Sequence, residues 1–504
     1  MDRAELERSL GSAAGLHQAG AAQSGAAPAG DPSGASGEPG SPGPAGGSSS
    51  AGGGSGAVDP GVGAGVGLPG GSAAARSGSG SPSANPARSQ PAVSGSAQSP
   101  GTAAGSGIGP GSAGGAALGS PAPGSGATGA GAGSGGEIRL GSLGVQSGIL
   151  GATMAPFFLG ARAWAADVTA RGGLGGHPVR LILGDDGGDP AKAQALAHRM
   201  VEQDKVQAFY TVAAPTTLQA VTPYLEQVQV PIIGLCECNP AVDESPMAFQ
   251  PGIGSTTGLA WAHLAPLVGL SDKRKLSVFY CREVASCPQS AEGIKRLAAQ
   301  VGVQVVSEIQ MSLAQPDYTA EVLSARNSGA DAIIAVADNP TIVRILRSAH
   351  RQGYKPQMST PTSSYEPRFI RTGGEDTEGT VVASSTVPWS TSPRLADYRT
   401  AMARYLPDGE LSTLGAEMWG SGKLIEILAR SFPANPTSAD FLTALYALRG
   451  ETVGGIFPPL AFTRGTGHAA TNQCVIPVKV VAGKFVPQSD DQFSCAPGWR
   501  PVTP

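Results

Sequence analysis

What the chain lacks narrows it first. No apolar run approaches the roughly 20 residues needed to span the hydrocarbon of a bilayer. No block of Lys and Arg occurs and the net charge is −4, so nothing favours nucleic acid or an anionic membrane surface as partner. Charged residues make up only 14% of the chain, low in part because a long N-terminal stretch carries few. The six histidines show neither HxxxH nor a His/Cys spacing, which argues against a histidine-based metal site. Beyond residue 137 there is no GxSxG, so no nucleophile elbow. Gly420-Ser421-Gly422-Lys423 has the letters of a phosphate loop without the GxxxxGK[ST] spacing and falls inside a helical pattern, so it is rejected. These absences leave no catalytic signature, and the chain is read as a non-enzyme with no cofactor and no metal.

Large apolar residues are also nearly absent before Glu137, where most of the excess of 74 Gly and 42 Pro lies. Such a stretch buries too little surface to offset its ordering entropy, so residues 1–136 are expected to be a disordered Gly/Ser/Ala/Pro-rich tail. Its glycines lack a strict three-residue period, which excludes collagen. A tether or wall-crossing spacer and a translated non-coding stretch both remain open for it. Residues 1–8 are too charged for a signal peptide, and no apolar segment follows. Cytoplasmic retention, a different true start and an unrecognised export route therefore all stay open. The six cysteines all lie beyond the tail, and an even count suits an oxidising, extracytoplasmic compartment. Local pairs Cys281–Cys287 and Cys474–Cys495 are favoured. Cys236 and Cys238 are read equally as a strained bridge or as free thiols, and zinc held by Cys236, Cys238, Cys281 and Cys287 is a weaker alternative.

From residue 137 the pattern alternates. Strands are expected at 138–144, 179–184, 208–212 and 231–235, with helices at 156–169, 191–204 and 216–227 between them. A polar crossing at Pro251-Gly252 and a helix at 257–268 lead into a second series. Its strands are 275–280, 303–310, 332–337 and a short one near Met358; its helices are 289–301, 318–328 and 340–352. Residues 380–384 are read as a crossing back, followed by helices at 395–405, 413–431 and 438–448. Residues 459–462 and 475–481 are expected as edge strands. Strands alternating with helices imply βαβ units and parallel sheets. The fold class is therefore α/β, two Rossmann-like lobes joined by a three-crossing hinge, with a small-molecule site in the cleft at the strands' C-terminal ends. Asp189-Pro190 reads as a helix cap and first-turn proline. Asp185, Asp186 and Asp189 together read as strand-end and capping residues rather than a metal cluster.

Several segments in order carry a family resemblance: IRLGSLGVQSG, GARAWAADVTARGGLGGHPVRLILGDDGGDP, AKAQALAHRMVEQDKVQAF, VPIIGLCECNP, MAFQPGIGSTTG, DYTAEVLSARNSGADAIIAV and GYKPQMSTPTSSYEP. From about 137 to 487 the chain resembles the type I periplasmic binding proteins, in particular the branched-chain amino-acid (Leu/Ile/Val) substrate-binding proteins of ABC transporters. The resemblance implies a clamshell that captures a small polar solute, an amino acid or related compound, and hands it to a membrane permease complex. A ligand-sensing regulator using the same lobes is the alternative. It implies one lobe at 137–256 with 386–460 and another at 257–385 with 461–490. It places Gln146, Ser147 and Gly148 at the cleft border, and Ala214, Thr216 and Thr217 where a ligand carboxylate is gripped at a helix N-terminus. Cys236 and Cys238, Asp338 and Asn339, and Thr362 and Ser363 fall in further site loops, and Ala285–Cys287 where the family often has a tyrosine. The acid that pairs with a ligand ammonium is replaced near Thr362 and Ser363, with Asp338 as candidate substitute. Tyr365 is assigned to the cleft wall or to the core.

Overall fold

The structure, a computed structural model, describes residues 135–148, 150–236, 245–465, 472–489 and 491–500; the expected tail, apart from its last two residues, lies outside these. The last two residues of the expected tail are held in place. The Gly136 N–H donates to the Ala434 carbonyl at 2.6 Å and the Gly135 N–H to that of Gly176 at 3.2 Å, tying both glycines down.

The first sheet is wholly parallel. Strands β1 (Ile138–Gly144), β2 (Val179–Asp185), β3 (Ala208–Ala213), β4 (Ile232–Leu235) and β5 (Ala248–Phe249) lie in the order β2-β1-β3-β4-β5. Their Val, Ile, Leu and Phe side chains face helices on both sides, as a parallel sheet requires. Helix α1 (Gly151–Ala170) starts five residues before the expected Pro156; Pro156 falls inside it, and the helix forgoes that one N–H bond. Helix α2 (Pro190–Glu202) is capped as read from sequence, Asp189 accepting from the N–H groups of Ala191 and Lys192 at 2.8 and 3.2 Å with Pro190 in the first turn. Helix α3 (Pro215–Val228) follows β3.

The chain then leaves this sheet. Helix α4 (Ser255–Leu270) leads to strand β6 (Lys275–Cys281), helix α5 (Ser286–Gln300), strand β7 (Gln304–Met311), helix α6 (Thr319–Asn327), strand β8 (Ala332–Val336), helix α7 (Asn339–Arg351), strand β9 (Gln357–Thr360) and helix α8 (Pro367–Gly373). Residues 380–384, expected to cross back, instead form strand β10 (Val381–Ser384), parallel to β9; the crossing follows it. Helices α9 (Ala396–Tyr405), α10 (Thr413–Leu428) and α11 (Ser438–Ala447) come next. The chain then returns as β11 (Cys474–Val481), β12 (Lys484–Pro487) and β13 (Ser494–Cys495). The second sheet runs β12-β11-β10-β9-β8-β6-β7, with β13 on β11. It is parallel from β7 to β10, and β11 and β12 complete it antiparallel. The expected strand at 459–462 is a single bridge, Glu451 to Leu460, because Pro459 and the preceding Pro458 cannot donate to a ladder.

Helix α10 packs lengthwise on α1, which explains its small residues. A Cβ on Gly422 would lie 2.5 Å from the Trp164 ring. The Trp164 indole N–H donates to Glu426 at 3.0 Å, and its ring meets Tyr210 edge-on at 4.8 Å. The Gly-Ser-Gly-Lys letters are thus a helix-packing face.

Candidate functional site

In a parallel sheet the loops at the strands' C-terminal ends converge, and both sheets place residues of mixed polarity there. At the end of β1 the loop is organised from β2. Asp185 Oδ1 accepts from the N–H groups of Gln146, Ser147 and Gly187 at 2.9, 3.2 and 3.0 Å. Burial works against the charge of Asp185, but the Ser147 hydroxyl and these N–H groups outweigh it and hold the carboxyl below its ordinary range. The Gln146 side chain turns inward, donating to the Gly184 carbonyl at 3.2 Å and accepting from Arg162 at 2.9 Å. Gly148 is exposed, at φ +77°. Of the three, Gly148 presents an open surface, while Gln146 and Ser147 shape the loop.

The end of β3 is strained. Ala214, a non-glycine at φ +131°, precedes Pro215 at the start of α3. The Thr216 hydroxyl is buried there without a hydrogen-bond partner. Thr217, expected to act beside it, has a different partner: its hydroxyl donates to Asp186 Oδ2, whose other oxygen accepts from the Gly188 N–H at 2.7 Å. A buried hydroxyl left unpaired at a helix N-terminus is placed to donate to an anion. Cys236, after β4, is buried and disulfide-bonded, so the free-thiol reading fails there. Cys238 lies outside the described residues.

The second sheet contributes the ends of β8 and β9. Asp338 caps α7, accepting from the Thr341 N–H at 3.0 Å. Asn339 gathers its neighbours. Its amide N–H groups donate to the Ser363 carbonyl at 3.1 Å and to Glu366 Oε1 at 2.8 Å, and its oxygen accepts from the Ser364 hydroxyl at 2.7 Å. Thr362 is buried in the same turn. Glu366, bonded to this amide, is a buried carboxyl that sequence reasoning did not single out. Burial pushes its carboxyl up to about 7, against the Asn339 amide and the nearby Arg368, with Glu410 adding to the rise. The signal was present as Glu366-Pro367, a residue before a first-turn proline at the start of α8. Tyr365 belongs to the core: it is fully buried, its hydroxyl is 3.0 Å from that of Ser390, and its ring packs on Trp389 and Phe485.

Disulfides join Cys281 to Cys287 and Cys474 to Cys495, as favoured. The first staples the loop between β6 and α5, including Ala285. With Cys236, Cys281 and Cys287 all in disulfides, the four-thiolate zinc reading is excluded. Among the described residues no group of three or more His, Cys, Asp or Glu is placed to hold a metal, and no helix is long and apolar enough to cross a membrane.

Residues 137–484 match a protein family described as "Periplasmic binding protein". The chain is 23% identical over 241 residues to "Amino acid binding protein" of Pseudomonas aeruginosa, an alignment covering 47% of this chain and 64% of that one. It therefore spans less than two thirds of that relative. It superposes on a "Fatty acid ABC transporter substrate-binding protein" from Thermomonospora curvata with a TM-score of 0.61 and 19% identity, covering 71% of this chain and 92% of that one. A branched chain amino acid ABC transporter protein from Thermus thermophilus with bound valine gives a TM-score of 0.60 and 17% identity, covering 71% and 97%. At these identities the solved structures establish the two-sheet α/β fold.

Proposed function

We propose, for a chain that belongs to the periplasmic binding protein family, that it captures a small polar solute, an amino acid or related compound, for delivery to an ABC permease. Capture takes place between the C-terminal edges of the two sheets. One lobe comprises residues 137–256 with 386–460 and the other 257–385 with 461–490. Closure follows the usual logic, with ligand shifting an open–closed population. The protein works outside the cytoplasm, where its disulfides are stable.

The observation that carries this reading is the buried, unpaired hydroxyl of Thr216 at the N-terminus of α3. It offers a donor and a positive helix end to a solute carboxylate. Gly148, Ala214 and Cys236 border it on the first sheet, and Asn339, Thr362, Ser363 and Glu366 form the opposing edge.

The test is thermal stabilisation of the full chain by a panel of amino acids, amides, short-chain and fatty acids, followed by calorimetry. A solute at a hundred times its Kd stabilises the native state by about 2.7 kcal/mol. Thr216→Val is expected to weaken a carboxylate ligand about tenfold, the effect of one hydrogen bond to a charged group. Binding restricted to solutes without a carboxylate would refute the role of Thr216. No stabilisation by any solute would move the reading to a regulator that recognises a protein.

A further inference from the structure

Three segments connect the two sheets: 250–254 after β5, the stretch from Ser385 after β10, and the return through Asn472 to β11. A single side chain reaches two of them. Glu417, on α10, is fully buried. Its Oε1 accepts from Gln250 Nε2 at 2.5 Å and its Oε2 accepts from the Ser385 hydroxyl. Gln250 opens the first connection, and its amide also holds the last residue of β4, accepting from the Leu235 N–H at 3.3 Å and donating to the Leu235 carbonyl at 2.8 Å. Leu235 leads directly into Cys236 at the candidate cleft. The third connection is tied to the first: Asn472 donates to the Pro251 carbonyl at 2.9 Å, and its own carbonyl accepts from the Gly254 N–H at 2.8 Å. Gly252 lies against the carboxylate, where a Cβ would come within 2.5 Å of the Glu417 carboxyl carbon.

The two oxygens of this carboxyl group each take a donor, one from each of two connections. Each is a buried hydrogen bond between α10 and a connection, and the loss of either is resisted accordingly. Gln250 and Ser385 are therefore held to α10, and rotation between the lobes must be absorbed beyond them. We propose that Glu417 is a positioning residue for solute capture: beside the Ser384–Thr413 hydroxyl contact at 3.0 Å, it anchors two connections to the first lobe, confines the pivot of the first connection to residues 251–254, and couples both to the β4 loop of the cleft. This rests on the solute-capture reading above.

Hydrogen–deuterium exchange on the solute-free full chain tests the anchor. E417A is expected to speed exchange about tenfold in peptides covering 250–254 and 384–386, with less than about twofold change in β1 and β6. S385A should raise exchange at 384–386 and spare 250–254. E417Q, whose amide still reaches both partners, should largely restore the native pattern. A rise confined to α10, or one spread evenly over both sheets, overturns the proposal. If E417A does not fold, S385A and E417Q decide by the same pattern. Calorimetry with L-valine as probe supplies the second readout: S385A should shift its apparent affinity at least about threefold with no change in residues lining the cleft, and an unchanged affinity overturns the coupling. Failure of L-valine to bind the wild type counts against valine as solute, while the exchange pattern still judges Glu417.

Discussion

Glu366→Gln isolates the raised carboxyl at the end of β9. The folded protein holds this proton up to about 7, whereas the unfolded chain releases it near 4.5. Between those values the native state binds more protons than the unfolded state, so stability falls as pH rises through 4.5 to 7 and is level above it. A rise of that size corresponds to about 3 kcal/mol at 1.36 kcal/mol per unit. Glu366 retains some solvent contact, and screening reduces the expected contribution to about 1–2 kcal/mol. Glutamine does not titrate, yet its carbonyl can still accept from the Asn339 amide that now donates to Oε1 at 2.8 Å. The variant should therefore be more stable than the wild type at pH 8.5 by about 1–2 kcal/mol, with the advantage gone by pH 4.5. Urea titrations followed by tryptophan fluorescence at several pH values measure this directly. A stability difference independent of pH would refute the argument, because it would mean that the native carboxyl ionises in the ordinary range.

Three other perturbations probe separate parts of the fold. His263, wholly buried on α4, has its imidazole pushed down to about 4 by desolvation. The unfolded chain gains a proton below about 6.5 that the native state refuses, so the wild type should lose about 2 kcal/mol between pH 6.5 and 5 that His263→Gln does not lose; parallel urea curves for the two proteins across that window would contradict it. Gly422→Ala forces a methyl group to within 2.5 Å of Trp164 and should destabilise by about 1–3 kcal/mol, seen as a lower Tm; an unchanged Tm would mean that α1 and α10 separate easily. Replacing Cys281 and Cys287 by serine opens a short loop at the end of β6 and should cost about 2 kcal/mol. Chemical denaturation of that variant, compared with the native protein under reducing agent, checks whether the loss belongs to this bridge.

The alternation of the chain was legible because each βα unit carries its own local chemistry. Val-Arg-Leu-Ile-Leu-Gly marks a strand, and Asp189-Pro190 marks the start of the helix after it, both from neighbours in sequence. What escaped reading depends on partners far away. Strand β5 is two residues long and exists because β4 lies beside it. Strand β10 resembles a crossing until β9 and β11 pair with its two edges. The site divides along the same line. The loops at 146–148 and 214–217 were assigned to the site by the family resemblance. Their side-chain roles were not, because Thr216 and Thr217 are adjacent and alike, and only Asp186, 31 residues away, separates the free hydroxyl from the bonded one.

The acidic residues of the second sheet show the same limit. Position for position, Thr362 and Ser363 stand where an acid is expected, and Asp338 was the nearest carboxylate by loop. Asp338 is committed to the first turn of α7 through Thr341, and removing a cap of that kind costs about 1 kcal/mol. Glu366 has no such duty, since its side chain makes no cap bond to α8. It is instead held by Asn339, whose other contacts, to Ser363 and Ser364, fix the amide's orientation. The helix cap next door stays where the backbone needs it. If that account is right, Asn339→Leu should disturb Glu366 more than Asp338→Asn does, and the pH profile that distinguishes Glu366→Gln from the wild type is where the difference would appear.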